Sequence, residues 1–281
     1  MRQTQSVQLA GGDDAVLLFH GLASSPLEML SLANSLRQRG FSVEVPHIEG
    51  FGFGGAASDF SHWQAQAAQI FDRMKRDYRT VSVGGLCIGA LLSLALAAER
   101  PREVAGLSLL STTLFYDGWS IPWYRFLMPL WFHTPVRHLY SFTEQEPYGI
   151  KNPQIRRRIA RAMSRGFSEA GAARISTDHV YQATRLSQHV MEKLPSIKAP
   201  ALVVHAIDDE TASPKNADYI MKHLGSPVKR RVMLGNSYHM VTMDNERDAV
   251  AAEVNHFFQA NIHAIEHTLP ARIVSDKRRS A

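Results

Sequence analysis

Short runs of consecutive apolar residues alternate along the chain with longer segments in which apolar residues recur every three or four positions. Apolar runs of four to eight residues are typical of strands buried on both faces, and the longer period is typical of helices with one buried face. The pattern predicts strands at residues 15–20, 41–46, 81–86, 104–111, 201–206 and 229–234, and helices at 26–40, 60–78, 88–101, 214–225 and 246–262. Strands that alternate with helices predict an α/β fold, a mostly parallel sheet with helices on both faces.

The alternation stops between residues 112 and 197. This segment contains the aromatic stretch FYDGWSIPWYRFLMPLWFHTP, followed by a basic stretch with a helical pattern, and no clear buried strand. A segment of this kind between two strands predicts an inserted helical cap. We therefore expect a core formed by residues 1–111 and 198–262, a cap at 112–197, and a loose C-terminal tail at 263–281.

Composition narrows the classes of function. One cysteine in 281 residues excludes an internal disulfide and a zinc site built from cysteines, and it favours a cytoplasmic protein. No signal peptide and no apolar run of about 18 residues is evident. We also find no motif for nucleic acid, metal, phosphate or dinucleotide binding, so we expect no nucleic-acid partner, no metal and no cofactor.

The net charge of +5 is concentrated at residues 154–165 and 275–281. Charge runs of this kind predict a solvated helix face and a solvated tail. The alternative partners are nucleic acid, for which the chain has no motif, and an acidic membrane surface.

The cysteine lies in the sequence GGLCIGA, between a predicted strand and a predicted helix. A turn this sharp strains the backbone of Cys87 and requires small residues beside it, which Gly85 and Gly89 provide. The side chain then projects at the carboxyl edge of the sheet, where the helix N-terminus favours an anion. We therefore interpret Cys87 as a nucleophile, although free cysteines are also common as small buried residues.

A second loop, in LLFHGLASSP, follows the first predicted strand. Gly21 permits a tight turn, so the Leu22 N–H is expected to face the same space as the Ile88 N–H. Two such donors would form an oxyanion hole for a tetrahedral intermediate. We interpret His20 as a structural residue that bonds this loop through a ring nitrogen.

An acid and a base are expected at two later strand ends. The stretch VVHAIDDETASP offers Asp208, Asp209 and Glu210, each of which could orient a histidine or simply complement a helix N-terminus. In LGNSYHMVTMD, His239 lies on a loop just before a helix, where a general base can reach a reacting group. The order of nucleophile, acid and histidine is that of α/β-hydrolases.

Together these segments resemble the α/β-hydrolase superfamily, and within it the compact carboxylesterase and monoacylglycerol-lipase branch. The resemblance runs from about residue 12 to 262 and rests on LLFHGLASSP, VPHIEGFGFGG, GGLCIGA, VVHAIDDETASP and LGNSYHMVTMD. The branch has an Asp-x-x-x-x-Pro pattern, which selects Asp209 by counting back from Pro214. It normally carries serine in the elbow, and this chain has Cys87 instead.

The predicted cap supplies candidate substrate-binding residues: Phe115, Trp119, Trp123, Tyr124 and Trp131. Their rings could form the core of the cap itself, an apolar acyl-binding tunnel, or a lip that faces a membrane.

We expect a cysteine-dependent hydrolase of esters or thioesters with an apolar acyl group, acting on small molecules that are free or carrier-bound. The alternatives are an acyltransferase, condensing or cyclising enzyme with the same triad, and a non-catalytic binding protein on this scaffold.

Overall fold

The computed structural model describes residues 5–268 apart from residues 133, 139 and 169. Seven strands form the main sheet, in the spatial order β1-β3-β2-β4-β5-β10-β11, and only β1 pairs antiparallel to its neighbour. These strands are β1 Val7–Leu9, β2 Asp14–Phe19, β3 Ser42–Val45, β4 Thr80–Leu86, β5 Val104–Leu110, β10 Ala201–Ala206 and β11 Lys229–Leu234. The six predicted strands and the mostly parallel α/β-hydrolase fold are confirmed.

The helices cover both faces of the sheet. They are α1 Leu30–Gln38, α2 Phe60–Asp77, α3 Ile88–Glu99, α4 Met128–Phe132, α5 Pro153–Met163, α6 Thr177–Lys193, α7 Lys215–His223 and α8 Arg247–Thr268. Helix α3 is apolar on all sides and is buried at ten of its twelve positions, as expected of a helix that packs between the sheet and other helices. It therefore fixes the turn that precedes it. Among the described residues no helix is long and apolar enough to cross a membrane.

Residues 112–197 also contain four short strands that the sequence did not indicate. They form two antiparallel pairs, β6 Ser141–Thr143 with β9 Arg174–Ser176 and β7 Phe167–Ser168 with β8 Gly171–Ala172. Strands of two or three residues are too short to show a hydrophobic period, so the sequence showed no clear buried strand in this segment although it contains them. The function of the segment as a cap stays a prediction.

The last helix continues to Thr268, beyond the expected end of the core at Ile262. The first six residues of the expected tail, HAIEHT, are therefore helical, because they contain no glycine or proline. The rest of the expected tail lies outside the described residues.

Candidate active site

Cys87 forms the turn between β4 and α3. Its backbone has φ 58° and ψ −120°, and its N–H donates to Leu110 O at 2.9 Å. A positive φ is unfavourable for a residue with a side chain, and such strain is concentrated at functional sites. A Cβ on Gly89 would lie 2.3 Å from His20 O, and one on Gly85 would lie 2.4 Å from Gly89 C. Both glycines are therefore needed for the close approach of strand, helix and loop.

Asp209 and His239 form a buried pair at the neighbouring strand ends. His239 Nδ1 lies 2.8 Å from Asp209 Oδ2 and 3.0 Å from Oδ1. Asp209 Oδ1 also accepts the backbone N–H groups of Thr211 and Ala212 at 2.9 and 2.8 Å. Because these bonds fix the carboxylate, it can hold the imidazole in one orientation.

The other two acids of this loop have different partners. Asp208 is exposed and bonds Lys151 Nζ at 2.8 Å. Glu210 is buried and accepts the backbone N–H of His239 at 3.2 Å, so it supports the turn that carries the histidine. The geometry therefore pairs His239 with Asp209, the residue selected by the family pattern.

The pair is electrostatically polarised. Burial lowers the pKa of His239, but the charges of Asp209 and Cys87 outweigh it and hold this pKa well above 6.5. Burial raises the pKa of Asp209. The charge of His239 and its hydrogen bond act in the opposite direction, and they leave the pKa of Asp209 below its ordinary value. The arrangement therefore favours the imidazolium form of His239 beside the Asp209 carboxylate.

The thiol of Cys87 is half-buried at the same edge of the sheet. Its Sγ lies 3.4 Å from Thr113 Oγ1. His239 Nε2, the ring nitrogen not used by Asp209, is buried and has no partner in hydrogen-bond geometry within the described part of the chain. The Cys87 side chain nevertheless lies close enough to His239 that its charge and its hydrogen-bonding interaction both raise the pKa of the histidine. Bonds between a nucleophile and its base are often long without substrate.

The predicted oxyanion loop lies directly beside the elbow. Within the described residues, neither the Leu22 N–H nor the Ile88 N–H has a hydrogen-bond acceptor. Gly21 between His20 and Leu22 is held on both sides: its carbonyl bonds His20 Nδ1 at 2.8 Å, and its N–H donates to the Glu28 carboxylate. Burial lowers the pKa of His20 to about 4. His20 is therefore neutral and donates through Nδ1, in the loop-supporting position expected of it.

The aromatic candidates are spread over the surface of residues 112–197. The exposed fractions are 36% for Phe115, 61% for Trp119, 81% for Trp123 and 39% for Trp131. Their ring partners are Tyr219, Tyr238, Phe126 and Tyr140, respectively. Tyr124 lies in a short 3₁₀ helix, Trp123–Leu127, and its side chain lies outside the described part. Their role in substrate binding stays a prediction.

Two residues near the thiol, one of them an aromatic residue of the predicted cap, were not assigned to the thiol from the sequence. Thr113 contacts Sγ, and Tyr116 lies close enough to Cys87 that the thiolate charge, after burial, raises the pKa of its phenol. Both follow β5, whose carboxyl end is adjacent to that of β4. The sequence could have indicated both residues, because they lie just beyond the carboxyl end of a predicted strand.

A metal ion would need several ligating side chains close together. Within the described residues, no group of three or more His, Cys, Asp or Glu side chains is arranged to hold a metal ion.

Comparison with known proteins shows the family to which this chain belongs. Residues 12–246 match the family model described as serine aminopeptidase, S33. A thermostable monoacylglycerol lipase of Bacillus sp. (strain H-257) is 28% identical over 88% of this chain and 91% of its own length. A carboxylesterase of Bacillus subtilis (strain 168) is 23% identical over 89% of this chain and 94% of its own.

Among solved structures, the monoacylglycerol lipase of Paleococcus ferrophilus superposes with a TM-score of 0.76 at 16% identity, covering 92% of this chain and 98% of that one. One of the metagenome-derived lipolytic enzymes LipS and LipT gives a TM-score of 0.78 at 21% identity, covering 92% and 99%. These likenesses show a shared fold. The family match spans most of the chain, and the chain accordingly belongs to the serine aminopeptidase S33 family of α/β-hydrolases.

Proposed function

We propose that this protein hydrolyses carboxylic esters with an apolar acyl group, through a Cys87–His239–Asp209 triad and an acyl-enzyme. The observation that carries the proposal is the buried Asp209–His239 pair beside a cysteine held at the strand-to-helix elbow. The names of the two curated relatives, a monoacylglycerol lipase and a carboxylesterase, support an ester as substrate.

The reaction would proceed in two acyl transfers. The Cys87 thiolate attacks the ester carbonyl, and the Leu22 and Ile88 N–H groups bind the resulting oxyanion. The imidazolium of His239 gives its proton to the leaving alkoxide, and a thioester forms on Cys87. His239 then takes a proton from water, which attacks the thioester, and collapse of the second intermediate releases the acid and the thiolate. Asp209 holds the imidazole throughout.

A second candidate function follows from the sulfur nucleophile. A thioester intermediate transfers its acyl group readily to amines and thiols, so an acyltransferase, condensing or cyclising enzyme would use the same residues. A thioester, free or on a carrier, is a plausible donor for either activity.

One experiment tests the proposal and separates these outcomes. The protein is mixed with a short p-nitrophenyl ester, and intact mass, peptide mapping and p-nitrophenol release are followed together. We expect an acyl adduct on Cys87 and steady release of p-nitrophenol. A single burst with a lasting adduct would instead favour an acyltransferase. Absence of both adduct and release, with longer esters and thioesters as well, would overturn the triad.

Exposed apolar side chains on residues 112–197 suggest how a lipid-like ester is reached. Phe126 and Leu130 are 64% and 70% exposed. The exposed face of α5 carries Arg157, Arg158 and Arg161, and Arg165 follows the end of the helix. Helix α5 is connected to the aromatic stretch through Tyr238, whose ring lies 5.8 Å from that of Trp119 and 6.0 Å from the Arg156 guanidinium. Aromatic and basic groups together suit an anionic lipid surface, which we propose as the partner of this segment.

The double variant Phe126→Ser/Leu130→Ser is expected to bind anionic vesicles several-fold less tightly than the wild type. The reason is the loss of two apolar side chains from the interface, each worth on the order of 1 kcal/mol or more when buried. Vesicle co-sedimentation measures this binding. Val228→Ser is the matched control, because Val228 is 48% exposed and precedes β11, at the amino-terminal end of that strand. Equal binding by all three proteins would contradict the lipid assignment.

A further inference from the structure

A buried carboxyl group outside the triad lies between the oxyanion loop and the histidine turn. Glu28 is only 3% exposed. Its carboxylate accepts the Gly21 N–H, and a Cβ on Gly21 would lie 3.2 Å from its Oε2. Its backbone carbonyl accepts the Thr242 hydroxyl at 3.4 Å, three residues after His239. Glu28 therefore contacts both parts of the site without belonging to the triad.

The hydrogen bonds of Gly21 determine where the Leu22 N–H points. The Gly21 carbonyl and the Leu22 N–H belong to one planar peptide, in which the two groups point in opposite directions. His20 Nδ1 holds that carbonyl, and Glu28 holds the N–H of the preceding peptide. The Ser24 N–H also donates to the Gly21 carbonyl, at 3.3 Å, so the Glu28 carboxylate is the contact that fixes the N–H side of this residue. Glycine has the freest backbone of any residue, so such contacts are needed to keep the loop in one conformation.

We propose that Glu28 is a positioning residue, which directs the Leu22 N–H towards the substrate oxygen by holding the Gly21 N–H. The inference rests on the proposed function in one respect, the role of the Leu22 N–H as an oxyanion donor. Glu28 acts through Gly21 and does not touch the reacting atoms. Because the oxyanion is present in the transition state and the tetrahedral intermediate but not in the bound ester, misplacing this donor should lower kcat and leave KM nearly unchanged.

Ionisation of the Glu28 carboxyl should also make kcat depend on pH. Burial raises the pKa of Glu28 to about 7, although the Gly21 N–H, the Ser24 hydroxyl and the charge of His239 each act to lower it. The pKa of His20, about 4, lies below this range, whereas the pKa of His239 is raised by Asp209 and Cys87. Glu210 and Glu144 also have raised pKa values through burial, so variants of Glu28 itself are needed for the assignment.

The ionised carboxylate holds an amide more strongly than the neutral acid does, and it attracts the His239 imidazolium. We therefore expect the kcat of the wild type to rise as the pH passes through about 7. Stability should move in the opposite direction. The folded-state pKa lies above the ordinary value of 4.5, so folding is favoured by proton binding, and that contribution is lost as the pH rises from 4.5 through about 7.

The test compares kcat, KM and thermal unfolding from pH 5 to 9 for the wild type, Glu28→Ala and Glu28→Gln, with a soluble p-nitrophenyl ester. Glu28→Ala should lower kcat by about 10²-fold, the effect of losing one oxyanion donor, with KM within about twofold. Glu28→Gln keeps an acceptor for the Gly21 N–H, so its kcat should be close to that of the wild type. Because the amide does not ionise, the kcat of this variant should not change as the pH passes through about 7. For the same reason its Tm should rise relative to that of the wild type as the pH increases.

Asn255→Ala is the matched control for a lost buried polar group. Asn255 is buried in α8, away from the site, and bonds Ser35 and Ala251 O. It should lower Tm without lowering kcat. An unchanged kcat in Glu28→Ala, a retained ionisation in Glu28→Gln, or an equal loss of kcat in Asn255→Ala would each overturn the positioning role. An acyl adduct on wild-type Cys87, measured in the same preparation, shows that the proposed function itself is not the part that failed.

Discussion

Asp209→Asn is expected to lower kcat by about 10⁴-fold, with little change in the fold. An amide at this position can present an N–H to His239 Nδ1, which would place the imidazole in the wrong tautomer. It also removes a negative charge that lies 2.8 Å from the ring and helps to hold the pKa of His239 well above 6.5. Without that charge the imidazolium is less stable, and the thiolate loses its counter-ion. Steady-state kinetics with a soluble ester and the pH dependence of thiol alkylation measure the two effects.

The neighbouring aspartate provides the control. Asp208→Asn makes the same chemical change one residue away, at an exposed side chain that bonds Lys151. It should leave kcat within about twofold, because an exposed ion pair contributes at most about 1 kcal/mol. A large loss in Asp208→Asn together with a small loss in Asp209→Asn would show that the acid had been assigned to the wrong residue.

The strand-end positions of the candidate nucleophile, the candidate oxyanion loop and the candidate histidine could be predicted from sequence for one physical reason. The elbow and the oxyanion loop each follow a buried strand, and the histidine follows β11, in which only Leu234 is buried. Parallel strands bring all their carboxyl ends to one edge of the sheet. The register shows this directly: Phe19 is beside Gly85, and Leu110 is beside both Leu86 and Val204. Local sequence patterns therefore predicted which residues, far apart in the chain, lie close together at this edge of the sheet.

The choice among the three acids could not be made from the residues alone. Asp208, Asp209 and Glu210 are consecutive, and each suits a helix N-terminus or a histidine partner equally well. The structure separates them by burial and by partner, since Asp209 alone bonds the imidazole while Glu210 bonds the backbone of His239. The family pattern supplied this distinction before the structure did, because it counts from Pro214.

Glu28 shows a different limit of sequence reasoning. An acid early in a predicted helix is ordinarily interpreted as a solvent-exposed group that complements the helix dipole. Its burial depends on contacts with Gly21, seven residues earlier, and Thr242, more than two hundred residues later. The short strands of residues 112–197 were missed for a related reason, since pairs such as Phe167–Ser168 with Gly171–Ala172 have no period of their own.

Cys87→Ala is expected to abolish the acyl adduct and to lower turnover by at least about 10⁴-fold, leaving only the contribution of the oxyanion donors and of binding. Alanine at φ 58° is about as strained as cysteine, so the elbow should keep its shape and Tm should change little. Thr113→Val is the matched control: it removes the hydroxyl that lies 3.4 Å from Sγ but leaves the nucleophile in place, so the adduct should still form.

Cys87→Ser tests the effect of the sulfur atom itself. A serine hydroxyl is harder to ionise beside the same histidine, and its acyl intermediate is an oxygen ester instead of a thioester. A lower acylation rate with no lasting adduct in Cys87→Ser, against a longer-lived thioester in the wild type, would show that sulfur governs the fate of the intermediate. Full turnover by Cys87→Ala would mean that the chemistry takes place without the elbow cysteine, and the triad would have to be abandoned.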